Sequence, residues 1–276
     1  MYGNRRSSGW MIRLLIAAVI AGISLITYLS RSDVNPITGE NQRVALSQQE
    51  EIALGLQAAP ELIAQHRGMH PDADAQAHVD KVGTQLLAGL QRTLTEQGRS
   101  NPYKFEFHLL RDDETVNAFA LPGGQVFITA ALYKQLETEG QLAGVLGHEI
   151  GHVLSRHGAQ QLAKQQLTQG LAGAAGVAGG DVDSARMAQA VGALVNLKYG
   201  REAELESDRW GVQLMAASGY DPRAMVGVMK VLEKASGGGG QPEFLSSHPK
   251  PANRVEYIQS VLKEQFPEGV PEGLEP

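Results

Sequence analysis

The sequence predicts a mostly helical α+β domain with one small sheet, carried behind an apolar N-terminal helix. Three observations predict it. Apolar residues recur at helical spacing over most of the chain. Between residues 104 and 129 the pattern switches to alternation and short apolar runs, the signature of strands. Near the N-terminus, LLIAAVIAGISLITYLS, from Leu14 to Ser30, carries no charge at all.

Arg5, Arg6 and Arg13 precede that run. Its length reaches the roughly 17–25 residues that cross a bilayer as a helix, and it exceeds the roughly 7–15 residues of a signal-peptide apolar region. Positive charge in front places the N-terminus in the cytoplasm and the body across the membrane. Ser30-Arg31-Ser32 is a poor cleavage site, so residues 1–31 are expected to stay as an anchor; if cut, the body is released into the same compartment. Residues 32–46, with Pro36 and Gly39, read as a linker. Residues 47–276 read as the folded domain, with N-terminal helices over 47–100 and a core over 101–276.

Ser47 with Glu50 three positions later is a capping box, and it opens a helix through EEIALGLQAA. Val79, Val82, Leu86, Leu87 and Leu90 predict a helix over 73–94. In KFEFHLL, Phe105, Phe107 and Leu109 alternate with Lys104, Glu106 and His108, which is a half-buried strand. VNAFA and QVFIT are two more strands, joined at the turn LPGG. Thr138 with Gln141 opens the helix QLAGVLGHEIGHVLSRHG, and a run of small residues, GLAGAAGVAGG, follows. The helix REAELESDRWGVQLMAAS stops at Gly219. Asp221-Pro222 starts another, SGGGG at 236–240 is a flexible break, and a last helix runs over 251–265.

Composition excludes several function classes. The net charge is −6, and the first 31 residues hold four arginines and no acid, so the body is more acidic than the whole. Such a surface is not drawn to phosphate backbones, which argues against nucleic acid as a partner. With no cysteine there are no disulfides, thiolate metal sites or cysteine nucleophile.

The chemistry concentrates in GHEIGHVLSRHG, residues 147–158. On a helix, at about 100° per residue, His148 and His152 lie about 40° apart, so two imidazoles can converge on one ion. Glu149 falls about 60° from His152, placed to take a proton from an attacking water. This H-E-x-x-H arrangement needs a third ligand. A glycine and a histidine that would extend it are replaced by Ser155 and Gly158. His157 falls on another side of the same helix and reads as a surface or second-layer residue, not a ligand. Glu204 and Asp208, one turn apart on a later helix, are the remaining candidates. Glu204 could complete a His₂Glu set, and Asp208 could accept the free ring N–H of a ligand histidine. A solvated acidic face that includes Glu202 and Glu206 fits the spacing equally well.

GHEIGHVLSRHG, then YGREAELESDRWG, then SSHPKPANRVEYI, with NAFALPGG in front, resemble in kind and order the zinc endopeptidases of the prenyl-protein (CAAX) protease and HtpX-like family, closest to their exported bacterial branch. The resemblance spans residues 117–258. Ser207 stands where the family usually has alanine. The resemblance implies a gluzincin fold, one Zn²⁺ per chain held by His148, His152 and Glu204, and Glu149 as general base. It implies polypeptide substrates, envelope or misfolded proteins, that add as a strand along Asn117, Ala118, Phe119 and Ala120. It sets the His-Pro turn at His248 beside the metal, as oxyanion donor or as a fourth ligand holding the enzyme latent, with Tyr199 and Arg254 as weaker candidates. The small-residue run is expected to form a flap over the site or a packed helix pair. The implied location is a bacterial cell envelope, inner-membrane anchored with the domain facing the periplasm. The rival function is a zinc-binding chaperone or adaptor without turnover.

Overall fold

The computed structural model describes residues 6–179, 199–236, 243–248 and 253–276. The core of the GGGG break and residues 249–252 of the His-Pro turn lie outside the described residues. The fold is mostly helical, as the pattern predicts, but the described residues form two small sheets where the pattern predicts one.

The first helix, α1 (Arg6–Ser30), is long and apolar enough to cross a membrane. A core helix would be buried, whereas Trp10, Leu15, Val19, Ile23 and Ile26 are all exposed. The segment read as a linker forms a short antiparallel hairpin of β1 (Ser32–Val34) and β2 (Asn41–Arg43). Ile37 and Val44 are buried beside it, so this stretch is packed structure. Helix α2 (Gln48–Gln65) opens with the expected capping box, Ser47 and Glu50 each holding the other's backbone N–H. Helix α3 (Ala73–Glu96) buries Val79, Val82, Leu86, Leu90 and Leu94 along one stripe.

Strands β3 (Glu106–Leu110), β4 (Ala118–Ala120) and β5 (Gln125–Thr129) form a sheet in the order β3-β5-β4. β3 runs parallel to β5 and β4 antiparallel. The β4–β5 turn uses Gly123 at φ 90° and Gly124 at φ 112°, a region that favours glycine. Every residue of β5 is buried. One apolar core joins the sheet to α3 and the central helices; a second lies between Phe127, Leu110, Leu121 and Ala58, Ala59 and Leu62 of α2.

After the single turn α4 (Ala130–Tyr133) comes α5 (Glu139–Leu154), whose residues from Gly140 to Leu154 are all buried. Thr138 Oγ1 accepts the Gln141 N–H at 3.2 Å. The Gln141 side chain reaches one residue further back than a capping box requires, accepting from Glu137 N at 2.7 Å. Burial of Leu142, Val145, Leu146 and Ile150 contributes about 1.5–3 kcal/mol each. α5 ends at Leu154 rather than running through His157. Arg156 takes a left-handed conformation at φ 56°, rare for a residue with a side chain, and α6 (His157–Gly179) leaves in a new direction.

That elbow is clasped by the N-terminal segment. Asn35 Nδ2 donates to Leu154 O at 2.8 Å and Gln42 Nε2 to Ser155 O at 3.1 Å, satisfying carbonyls that a helix end leaves open. Buried Arg156 donates to Glu51 Oε1, Asp33 Oδ2 and Leu46 O at 3.1, 2.7 and 2.8 Å. Helix α6 then runs beside α1. Arg31 donates to Gln166, and a Cβ on Gly170 would sit 2.1 Å from Ser24 Oγ. The small-residue run is helical as far as Gly179 and packs against α1 at Gly170.

Helix α7 (Arg201–Ala217) packs face to face on α5 and stops before Gly219, at φ 85°. Asp221 Oδ1 caps the following turn by accepting from Arg223 N at 2.9 Å, and α8 (Ala224–Ser236) begins just after it. A short α9 (Glu243–Ser247) and α10 (Arg254–Gln265) close the chain's described part over the site.

Candidate metal centre

Helices α5 and α7 approach closely because glycines face each other. A Cβ on Gly147 would meet Gly211 Cα at 3.2 Å, and one on Gly151 would meet Trp210 Cβ at 2.8 Å and Ser207 Cα at 3.1 Å. This crossing faces His148, Glu149 and His152 of α5 toward Glu204 and Asp208 of α7, all at most 2% exposed. His248, just after α9, reaches the same point and is fully buried.

Donor atoms of His148, His152, Glu204 and His248 all lie within 4.8 Å of one another. His152 Nε2 stands 3.1 Å from His148 Nε2 and 3.5 Å from Glu204 Oε1. His148 Nε2 is 3.6 Å from Glu204 Oε2. His248 Nδ1 is 3.0 Å from Glu204 Oε1 and 3.5 Å from His148 Nε2. Crowding so many buried donors together is costly unless something they share compensates them, and Glu204 Oε2 makes no hydrogen bond, having only an ion pair with Arg254. A cation at the meeting point would be held by these donors together. Two imidazoles and a carboxylate form a set that suits zinc.

The surrounding charges tune these donors. Burial lowers His152 well below the ordinary imidazole range, reinforced by the charges of His148 and His248, which keeps the ring neutral as a ligand must be. Burial opposes ionisation of Glu204, but His248, His148 and Arg254 outweigh it and hold its pKa below the usual carboxylate range. Burial pushes Glu149 up. Its two oxygens are buried without a hydrogen-bond partner, with His248 Nε2 at 3.6 Å from Oε1.

Behind His148, its Nδ1–H donates to Asp208 Oδ1 at 2.9 Å. Asp208 is gripped by Arg254, whose Nε and Nη2 donate to its two oxygens at 2.6 and 2.7 Å. Arg254 Nη1 also forms a 3.2 Å ion pair with Glu204 Oε2. Burial opposes ionisation of Asp208, but Arg254 and then His148 hold it ionised. Arg254 therefore lies one layer behind the donors and ties α10 to α7. No local spacing in the sequence reveals it, because its partners lie dozens of residues away.

Behind His152 stands His157, in the second-layer place that the sequence allows it, together with Glu206 and Tyr199. His157 Nδ1 is 3.0 Å from His152 Nδ1, and His157 Nε2 is 3.2 Å from Glu206 Oε2. Tyr199 stacks on the His152 ring with centroids 4.1 Å apart. Glu202 is exposed and joins none of these contacts among the described residues.

Strand β4 is the open edge of its sheet among the described residues and lies against α5. Thr129 N donates to Asn117 O and Leu121 N to Gln125 O, so residues 117, 119 and 121 face β5. Alternation then turns the backbone groups of Ala118 and Ala120 toward the open edge. Phe119 stacks on Phe127 at 4.8 Å, and buried Asn117 leaves its Oδ1 without a partner. At one end of this edge, Phe244 N donates to Val116 O at 3.2 Å.

A family model described as Peptidase family M48 matches residues 80–262, from α3 to α10. The chain belongs to this peptidase family. Its M48 region contains every donor of the centre, and the zinc dependence of M48 metallopeptidases agrees with the donor chemistry above. The chain is 32% identical over 255 residues to the beta-barrel assembly-enhancing protease of Escherichia coli (strain K12), covering 89% of this chain and 50% of that protein. It is 33% identical over 180 residues to the mitochondrial metalloendopeptidase OMA1 of Schizosaccharomyces pombe, covering 63% and 51%. With OMA1 of Saccharomyces cerevisiae it is 26% identical over 261 residues, covering 91% and 74%. The chain spans about half the length of the first two relatives.

Proposed function

We propose that this M48 chain is a zinc metalloendopeptidase of the cell envelope, in the exported branch resembling the CAAX and HtpX-like enzymes. The observation that carries the reading is the convergence of His148, His152 and Glu204, with the two uncommitted oxygens of Glu149 beside them. A purely structural zinc site has no use for that free carboxylate, which argues against the chaperone or adaptor reading.

In this mechanism His148, His152 and Glu204 would hold the metal. When bound, zinc polarises the scissile carbonyl and makes water more acidic. Glu149 takes one proton from the attacking water at a carboxylate oxygen and delivers it to the leaving amine nitrogen. Asp208 keeps His148 in the tautomer whose Nε2 is free, and Arg254 keeps Asp208 ionised. A polypeptide substrate lies extended along β4, its backbone pairing with the N–H and C=O groups of Ala118 and Ala120, so sequence selectivity is low. Helix α1 anchors the chain, with the peptidase domain, residues 47–276, on the periplasmic side, in accord with the arginines before it.

A second reading concerns His248. It stands between the donors and Glu149, and Phe244, one turn earlier, occupies the carbonyl at the end of the β4 edge. Both contacts support a latent resting state that α9 must leave before substrate enters. An oxyanion donor at His248 would instead face the substrate carbonyl.

The test measures zinc content and cleavage of an unfolded protein side by side. Glu149→Gln should retain zinc and lose about 10²–10⁴-fold in turnover, whereas Glu204→Ala should lose both. Under latency His248→Ala raises basal cleavage; under the oxyanion role it lowers turnover by about 10²–10³. Full activity in Glu149→Gln would overturn the mechanism.

A further inference from the structure

We propose that His157 and Glu206 form a positioning relay for His152, the counterpart of Asp208 and Arg254 behind His148, and that this relay sets how tightly the centre holds zinc. The inference rests on the zinc-centre reading above and assigns two further residues to it.

The proton positions follow from the geometry. His152 turns Nε2 toward His148 Nε2 and Glu204 Oε1, at 3.1 and 3.5 Å. An imidazole that ligates through Nε2 carries its proton on Nδ1. The acceptor at hydrogen-bond distance from that N–H is His157 Nδ1, at 3.0 Å. His157 must then be unprotonated at Nδ1 and protonated at Nε2. Its Nε2–H points to Glu206 Oε2, at 3.2 Å, where a carboxylate can only accept. All donors in the chain thus run one way, from His152 through His157 to Glu206.

The relay is also built to hold still. His157 begins α6 directly after Arg156, whose three hydrogen bonds fix the elbow. Without the turn at Arg156, His157 would continue α5 and point elsewhere. Glu206 is held from its other oxygen by the Ser155 hydroxyl, which in turn accepts from Trp210 Nε1 at 3.1 Å. His157 is 5% exposed, so its ring has little freedom to turn. Groups of this kind behind a ligand histidine fix its tautomer and orientation, and their loss weakens metal binding by about 10–100-fold.

The experiment uses the full chain and reads zinc affinity by chelator competition, together with the visible spectrum of the Co²⁺-loaded protein and the melting temperature without metal. His157→Ala is expected to lose about 10–100-fold in zinc affinity and to shift the cobalt bands. His157→Gln, which can accept from His152 and donate to Glu206, should recover most of the affinity. Glu206→Gln, still an acceptor, should bind zinc more tightly than Glu206→Ala. If His157→Ala fails to fold, the two Glu206 variants decide alone. Equal zinc affinity in Glu206→Gln and Glu206→Ala, or unchanged affinity and spectrum in a folded His157→Ala, overturns the relay. Glu204→Ala is the reference: if it keeps full zinc affinity, the centre itself is misassigned and the relay falls with it.

Discussion

Two helix pairs in this protein use the same device in different surroundings. Where α5 crosses α7, Gly147, Gly151 and Gly211 let two backbones meet, and the space gained holds a buried network of histidines, carboxylates and one arginine. Where α6 runs beside α1, Gly170 sits against Ser24, and the outer faces carry exposed Ile23, Leu25, Ile26 and Leu171. The side chains of the first seam are buried among the described residues, each held by several partners. The second is open, and its outer surface mixes those apolar side chains with exposed Gln166, Thr168 and Gln169 of α6. A glycine seam therefore carries no function by itself; what the flanking side chains face decides whether it gathers buried donors or remains a plain helix contact.

The largest effect should come from closing the first seam. Gly151→Val puts atoms into Ser207 and Trp210 backbone and Cβ positions that cannot give way. It is expected to cost about 1–3 kcal/mol or more and to lower zinc occupancy, read by chemical denaturation and elemental analysis. An unchanged midpoint and zinc content would break the comparison.

A perturbation that touches neither seam gives the scale. Asp112 accepts from the backbone of Glu114 and Thr115 at 3.0 and 2.9 Å and from His66 Nδ1 at 2.9 Å. Burial opposes its ionisation, but the Thr115 amide, His66 and the Glu114 amide hold its pKa far below the usual carboxylate range. A depressed folded pKa contributes stability above the unfolded value, about 4, and that stability drains away as pH falls below it. Asp112→Ala should therefore cost about 1–2 kcal/mol at neutral pH. The gap from wild type should narrow toward pH 2, measured by urea unfolding across that range. A gap that widens in acid would refute the assignment.

The smallest effect on the centre should come from the second seam. Gly170→Leu forces α6 away from Ser24, yet zinc content and cleavage rate should stay within about twofold, since surface changes remote from the core are mostly within about 0.5 kcal/mol. Hydrogen exchange of α6 amides should rise. Loss of zinc in this variant would show that the two pairs are coupled through the elbow.

Much of this architecture was legible in the residues. The switch from period 3.6 to period 2 located β3, β4 and β5, and the 148/149/152 spacing set two imidazoles and a carboxylate on one face. Glu204 was only one of several acids by spacing; its choice came from resemblance, because the sequence does not display the α5–α7 crossing that brings it to His148 and His152. Sequence spacing places His157 on a continuing helix, whereas α5 ends at Leu154 and the chain turns at Arg156. A left-handed arginine is held by long-range partners, Asp33, Leu46 and Glu51, that no local pattern announces. The same holds for residues 32–46, whose polar composition reads as linker although Asn35 and Gln42 spend their amides on the end of α5.

The Gly147–Gly211 contact acts as a ruler. The span between imidazoles on one helix and the carboxylate on the other is set by how near two main chains come, not by flexible side-chain reach. A side chain added at Gly147 or Gly151 would meet the facing main chain and push the helices apart. The nearness of the two imidazoles to the carboxylate is thus kept by methyl groups that are missing at a distance from the donors themselves.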